Sequence, residues 1–231
     1  PSSQFIAQAN MTDPGIYDRF SLDNFPECFK EYADLLDWYQ YWHTTLDTSD
    51  APCWKWFVGG KINASYNCVD RHLKQHKNKA ALIWEGEPGE RRTLTYFTLY
   101  RQVSQFANVL KARGVGKGDR VAIVMRNYPQ WSVGFWAALA IGAIATPLNS
   151  WWTGEELEYG LADSGAKVAI VDPEKLERIR DHLPRLGQLQ HVIVARGGED
   201  EADPRITSLE KLIGAARSWA TTPPTWASPT S

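Results

Sequence analysis

An α/β fold, with a mostly parallel sheet and helices on both faces, is what this sequence predicts, and three observations carry the prediction. Beyond Gly118, short apolar runs alternate with stretches of helical period in four successive strand–helix units. The runs Val121–Val124 and Val168–Val171 are apolar at every position, as strands covered on both sides require. The chain has 231 residues, 43% hydrophobic and 23% charged, which is enough apolar material for a substantial core.

Taken in order, the chain opens with an aromatic-rich lead-in, where Trp38, Trp42, Trp54 and Trp56 crowd among Tyr39, Tyr41 and Phe57. The spacing predicts a helix over 26–38, with Phe25, Phe29, Ala33 and Leu36 on one face, and a second over 67–76 through Val69, His72 and Leu73. A β-hairpin follows: strand 80–85, a turn at 86–89, strand 91–96. Leu99, Val103, Phe106, Ala107 and Leu110 then mark a helix that stops near Gly114.

The repeated units come next. Strands are expected at 120–125, 144–147, 167–171 and 191–195, each followed by a helix, at 129–141, 154–162, 173–183 and 209–215. Strand–helix repetition implies parallel strands joined by right-handed crossovers. The division expected is a lead-in over 1–78, an α/β subdomain over 79–217 and a tail over 218–231. Ten of the tail's fourteen residues are Ser, Thr or Pro and none is charged, the composition of a linker or disordered tail.

Charge excludes some functions. Lys plus Arg is 25 against 27 Asp plus Glu, a net charge of -2 that supplies no field for a nucleic-acid backbone. The apolar run from Trp131 to Leu148 is broken by Ser132, Gly134, Gly142 and Thr146, so it reads as a buried helix and strand, not a transmembrane segment. No secretory signal pattern is visible, and a start at Pro1 suggests that an N-terminal piece has been removed. Cys28, Cys53 and Cys68 are few and irregularly spaced, which suits a reducing cytoplasm better than a disulfide framework.

Two motifs invite functional readings that their context opposes. Gly114-Val-Gly-Lys-Gly-Asp119 precedes a strand, whereas a phosphate-binding loop joins a strand to a helix, so a tight turn is expected. Cys68 and His72 are four apart on an expected helix, with Cys53 as a conceivable third metal ligand, but the spacings fit no zinc pattern. A core-facing Cys68 and a capping or packing His72 are expected in place of a metal site.

Specific blocks then point to a family. Lys55-Trp-Phe-Val-Gly-Gly-Lys-Ile-Asn63, Tyr66-Asn-Cys-Val-Asp-Arg-His72 and Ala81-Leu-Ile-Trp-Glu-Gly-Glu87 resemble the opening region of acetyl-CoA and propionyl-CoA synthetases. Leu94-Thr-Tyr96, Phe106-Ala-Asn-Val-Leu110 and Gly118-Asp-Arg-Val-Ala122 are similar to the first shared region of the whole adenylate-forming superfamily. Pro129-Gln-Trp131, Ile141 to Asn149 and Gly154-Glu-Glu-Leu157 look more like its medium-chain and long-chain branch.

The resemblance implies an incomplete N-terminal domain of the adenylate-forming fold, from an AMP-forming acyl-CoA synthetase of fatty acid metabolism. Such a ligase joins a carboxylic acid to CoA through an acyl-adenylate, using ATP and Mg. The family's Ser/Thr/Gly-rich loop ending Pro-Lys-Gly, its Tyr-Gly-x-Thr-Glu block, its ribose-holding Asp and its late Lys are absent from this sequence. No catalytic residue is therefore assigned, and the chain alone is expected to be inactive. A noncatalytic CoA-binding or assembly module of the same descent stands as the alternative.

For cofactor contacts, the resemblance carries over Asn149, Ser150 and Trp151, where acetyl-CoA synthetases place a Phe-Gly-Gly-Phe turn against the CoA nucleotide. Ser150 and Trp151 replace its glycines, which removes the closest backbone approach and leaves open a Trp stacked on adenine or a lost contact, and a surface turn opening the helix at Gly154 explains the segment equally. Arg178 and Arg180 fall near the arginines that hold CoA phosphates in those relatives, although a solvent-facing charged helix explains the pair more cheaply. Exposed apolar surface is expected to favour self-association.

Overall fold

The computed structural model describes residues 2–9, 13–198 and 203–216. The tail 218–231 lies outside the described residues. The chain divides into two compact units, 1–62 and 63 onward. The boundary expected at 78/79 falls inside the second of these.

In the first unit, short helices α1 (Ser3–Ala7), α2 (Ile16–Arg19) and α3 (Lys30–Ala33) precede an antiparallel pair, β1 (Thr44–Asp47) with β2 (Lys55–Val58). The helix expected over 26–38 is much shorter, a 3-10 turn at Glu27–Phe29 running into α3. The Trp38 indole donates to the Ala33 carbonyl at 2.8 Å, so the side chain meant to extend the helix satisfies its end instead. Rings of Trp38, Trp42 and Phe57 pack edge-on or tilted at 4.9–5.8 Å, and β1 and β2 were not foreseen.

In the second unit, α4 (Ala64–Cys68) and α5 (Leu73–His76) flank a 3-10 turn at Asp70–His72. The single helix expected there breaks at Val69, whose φ of -122° and ψ of -63° leave the helical region. The hairpin pairs β3 (Ala80–Glu85) with β4 (Arg91–Thr95), and α6 (Tyr96–Ala112) starts on a Thr95 cap that accepts from the Thr98 amide.

The remaining elements are β5 (Arg120–Val124), α7 (Pro129–Ala140), β6 (Ile144–Pro147), α8 (Gly154–Asp163), β7 (Val168–Val171), α9 (Pro173–Ile179), β8 (His191–Val194), β9 (Ile206–Ser208) and α10 (Leu209–Ala216). The five strands form one parallel sheet in the order β6-β5-β7-β8-β9. Alternate residues supply the two cores. Val121, Ile123, Val168, Ile170 and Ile193 pack with α6 and α7, while Ala122, Val124, Ala169, Val171 and Val192 pack with α8 and α9.

That layering follows from handedness. The chain steps one way from β5 to β6 and then the other way to β7 and β8, so right-handed crossovers put α7 on one face and α8 and α9 on the opposite one. Gly134 of α7 lies close enough to the sheet that a Cβ there would meet Ile170 Cδ1 at 2.8 Å. The expected α/β class with helices on both faces is what the chain adopts.

Candidate functional site

The strand order has a switch point between β5 and β7, where chain progression reverses. In open parallel sheets ligands collect there, at the carboxyl ends of the strands. β5 leaves the sheet through Met125-Arg126-Asn127-Tyr128, and β7 leaves through Asp172 and Pro173. The buried Asp172 joins the two: one carboxylate oxygen accepts from the Arg126 amide at 3.0 Å and the other caps α9 by accepting from the Lys175 amide at 2.9 Å.

Charge is concentrated around these caps. Arg126 pairs with Glu174 at 2.9 Å, Arg178 with the other Glu174 oxygen at 2.6 Å, and the ammonium of Lys175 lies 3.2 Å from Glu174 and 3.9 Å from Asp172. Lys175 is 1% exposed, an unusual placement for a lysine and one tolerated through this pairing. The Lys175 hydrogen bond, followed by its charge and those of Arg126 and Arg178, holds the Glu174 carboxyl below its ordinary range. Three cations thus surround two carboxylates beside the switch point.

The predicted turn adjoins this cluster. Trp151 donates its amide to Asn149 Oδ1 at 2.9 Å, and Trp152 donates to the Asn149 carbonyl at 3.2 Å. Arg178 donates to the Trp152 carbonyl at 2.7 Å, so the structure brings Arg178 against the turn formed by Asn149, Ser150 and Trp151. Trp152 turns inward onto the core, whereas Trp151 is 80% exposed. Arg180 is not part of this group: it pairs with Glu177 at 2.9 Å, and its charge acts on Asp203 ahead of β9.

The helix that follows is fixed at its start and along its flank. Thr153 and Glu156 form a reciprocal capping box at the start of α8. A Cβ on Gly154 would run into the Arg178 carbonyl and the His182 ring, so glycine lets α8 seat directly on the end of α9. Glu158, farther along α8, accepts two hydrogen bonds from Arg185 at 2.7 and 2.6 Å and meets His182 Nδ1 at 2.5 Å. Arg185 first and His182 second push the Glu158 carboxyl down to about 2.

The β3–β4 hairpin is buckled to the same end of the sheet. Trp84 Nε1 donates to the Asn127 carbonyl at 2.7 Å, and the Arg196 guanidinium lies 4.8 Å from the Tyr128 ring centre and 5.8 Å from that of Trp84. Arg196 pairs with Glu90 at 3.0 Å, and its own φ of 61° places it in the left-handed region.

Sequence reasoning did not single out Arg126, Asp172, Glu174 or Lys175; the signal available was the Val171-Asp172-Pro173 run, a capped helix start directly after a buried strand. The Gly114–Asp119 segment is the expected helix-to-strand turn, with Gly114 and Gly118 at φ of 73° and 86°. Cys68 is exposed and not core-facing, because α4 ends at it and the chain turns away at Val69. His72 packs against the Tyr96 ring at 5.1 Å. Among the described residues no group of three or more His, Cys, Asp or Glu could hold a metal, and no helix is long and apolar enough to cross a membrane.

Comparison with known proteins places these features in context. Residues 69–230 match the family model described as AMP-binding enzyme, and residues 17–68 match that of the acetyl-coenzyme A synthetase N-terminus. An acetyl-coenzyme A synthetase of Rubrobacter xylanophilus is 38% identical over 219 residues, 94% of this chain and 32% of that protein. One of Gemmatimonas aurantiaca is 44% identical over 172 residues, covering 74% and 26%. A 3-hydroxypropionyl-coenzyme A synthetase of Metallosphaera sedula is 42% identical over 176 residues, covering 71% and 26%. Among solved structures, the anthranilate CoA ligase AuaEII in complex with anthranoyl-AMP aligns with a TM-score of 0.59 at 27% identity, over 65% of this chain and 28% of that one. The chain spans 26% to 32% of the length of these curated relatives.

Proposed function

Because the chain belongs to the AMP-binding enzyme family, we propose that it is the N-terminal part of an AMP-forming acyl-CoA synthetase, a cytoplasmic ligase that activates a carboxylic acid with ATP and transfers it to CoA. The observation that carries this reading is the match of two consecutive family models, which together span residues 17–230. Their order agrees with a doubly wound sheet whose carboxyl end holds a turn, an exposed indole and a cluster of cations.

Asn149, Ser150 and Trp151 form the proposed CoA contact. Trp151 is free to stack on an adenine face, and such stacking tolerates any base. Both sides of the Arg178 fork are already taken by Trp152 and Glu174, so its part is to hold the turn, while Arg180 faces elsewhere and would need to move to reach the same ligand. ATP and Mg belong to the reaction of the whole enzyme; the described residues contain no ligand cluster for Mg, and no step is assigned through it here. The segments 1–78, 79–217 and 218–231 serve in this proposal as lead-in, α/β subdomain and tail.

A noncatalytic CoA-binding or assembly module is the second reading, and the exposed Trp151 at the carboxyl end of the sheet would serve it without any catalytic group. Acid-dependent exchange between ATP and pyrophosphate, run on this chain and on a longer one, separates the two. The first reading expects exchange only from the longer chain. Robust exchange by the 231-residue chain, or none by the longer one, overturns it. Self-association through exposed apolar side chains such as Tyr17, Leu22, Leu35 and Trp54 belongs to the same proposal, and sedimentation showing a clean monomer contradicts it.

A further inference from the structure

At the amino ends of the sheet strands, several basic side chains have close acceptors among the described residues, and Arg113 contrasts with them. Lys167 donates to the Gly114 carbonyl at 2.6 Å and to Asp119 at 3.0 Å. Arg120 donates to the carbonyls of Gly118, Ser164 and Gly165 at 2.9–3.1 Å, and Arg205 is paired through its Nε–Nη2 edge with Asp203 and donates through Nη1 to the Leu183 carbonyl. Arg113, at the end of α6, makes one long contact, 3.5 Å to Thr207 Oγ1, and its Nε is buried with no acceptor.

No carboxylate among the described residues pairs with it, and burial is what lowers its pKa. A desolvated guanidinium donor without an acceptor is costly and rare in folded proteins. Thr207 pairs with Ile193 across β8 and β9, and His191, two residues before Ile193, shares its face. The His191 ring lies against the Arg113 backbone; burial, then the charges of Arg113 and Lys167, push its pKa down.

We propose that Arg113 and Thr207 form a binding site for a small oxyanion of the phosphate class at the amino ends of β8 and β9, with the His191 ring alongside. The planar fork of Arg113 matches two oxygens of such an anion, and the partly exposed side chain leaves it an approach from solvent. The site is at the opposite end of the strands from the turn at Asn149–Trp152 and does not rest on the acyl-CoA synthetase reading. The shared ligand chemistry is the phosphate group, whether free or at the end of a nucleotide.

The test is thermal unfolding of the 231-residue chain in inorganic phosphate, sulfate, AMP or sodium chloride at matched ionic strength. A saturable rise in Tm with phosphate or AMP, absent in chloride, is expected, because a ligand of the native state stabilises by mass action. Tighter binding of AMP than of phosphate assigns a nucleotide phosphate, and the reverse assigns a free oxyanion. Arg113→Gln should weaken the ligand about ten- to hundredfold, the loss expected for charge-assisted hydrogen bonds, while Arg91→Gln, on the hairpin strand β4, leaves it unchanged. Equal stabilisation by chloride, or an unaltered response in Arg113→Gln, overturns the site. Should Arg113→Gln fail to fold, titrating the wild-type chain with phosphate while following the His191 ring resonances decides, with a saturable shift supporting the site and none refuting it.

Discussion

Replacing Asp70 with Asn should stabilise the protein at neutral and alkaline pH and change little in acid. Asp70 begins the 3-10 turn after Val69, and its Oδ2 is buried without a hydrogen-bond partner. Burial is the first cause of its shift and pushes the carboxyl from 3.8 up to about 7, against a smaller opposing contribution from its own backbone. At 1.36 kcal/mol per pH unit, a rise of this size corresponds to about 4 kcal/mol, and partial exposure of the group reduces the working figure to about 2 kcal/mol.

The sign follows from proton binding. Below pH 3.8 the carboxyl is protonated in both states and costs nothing. As pH rises toward about 7 the unfolded chain ionises while the folded one stays protonated, so stability falls across that window and the loss is complete above it. Asn removes the ionisation from both states. Urea unfolding followed by Trp fluorescence should therefore show Asp70→Asn more stable than wild type by about 2 kcal/mol at about pH 8, and nearly equal at about pH 4. A difference that does not grow with pH would refute the reasoning.

Glu158 behaves in the opposite sense: Arg185 and His182 depress its carboxyl to about 2, so its contribution is present above the unfolded value of 4.5 and is lost as pH falls toward 2. Glu158→Gln should flatten that acid limb in a pH series of unfolding midpoints. Gly154→Ala should cost about 1–3 kcal/mol in urea unfolding, because the added methyl meets backbone as well as the His182 ring. Trp151→Ala should leave the unfolding midpoint within about 0.5 kcal/mol, as the side chain is largely in water, yet abolish any fluorescence change on adding CoA.

The parts of the fold legible from sequence are those where burial dictates composition. Val121–Val124 and Val168–Val171 can only be covered strands, and both stand where the sequence puts them. The lead-in was read less well because its aromatic side chains close hydrogen bonds and pack on one another, as Trp38 does at Ala33, in place of following a helical face. β9 is only three residues and passed unnoticed. The carboxyl-end location of the Asn149–Trp151 turn could be inferred, but strand order could not, since β5 gains β7 as a neighbour through pairing 47 residues farther along the chain. That pairing puts the switch point beside Arg126 and Asp172.

The same arrangement bears on how the chain is made. β5 must wait for both of its neighbours, and the later of them, β7, begins at Val168. At roughly 5–20 residues per second, synthesis of the intervening stretch takes about 2–9 seconds, during which one edge of a fully apolar strand has no native partner. A nascent chain paused after β6 has emerged and before β7 follows therefore presents β5 and β6 as an unfinished two-stranded ribbon, the form in which it is most open to capture by a chaperone or by another nascent copy.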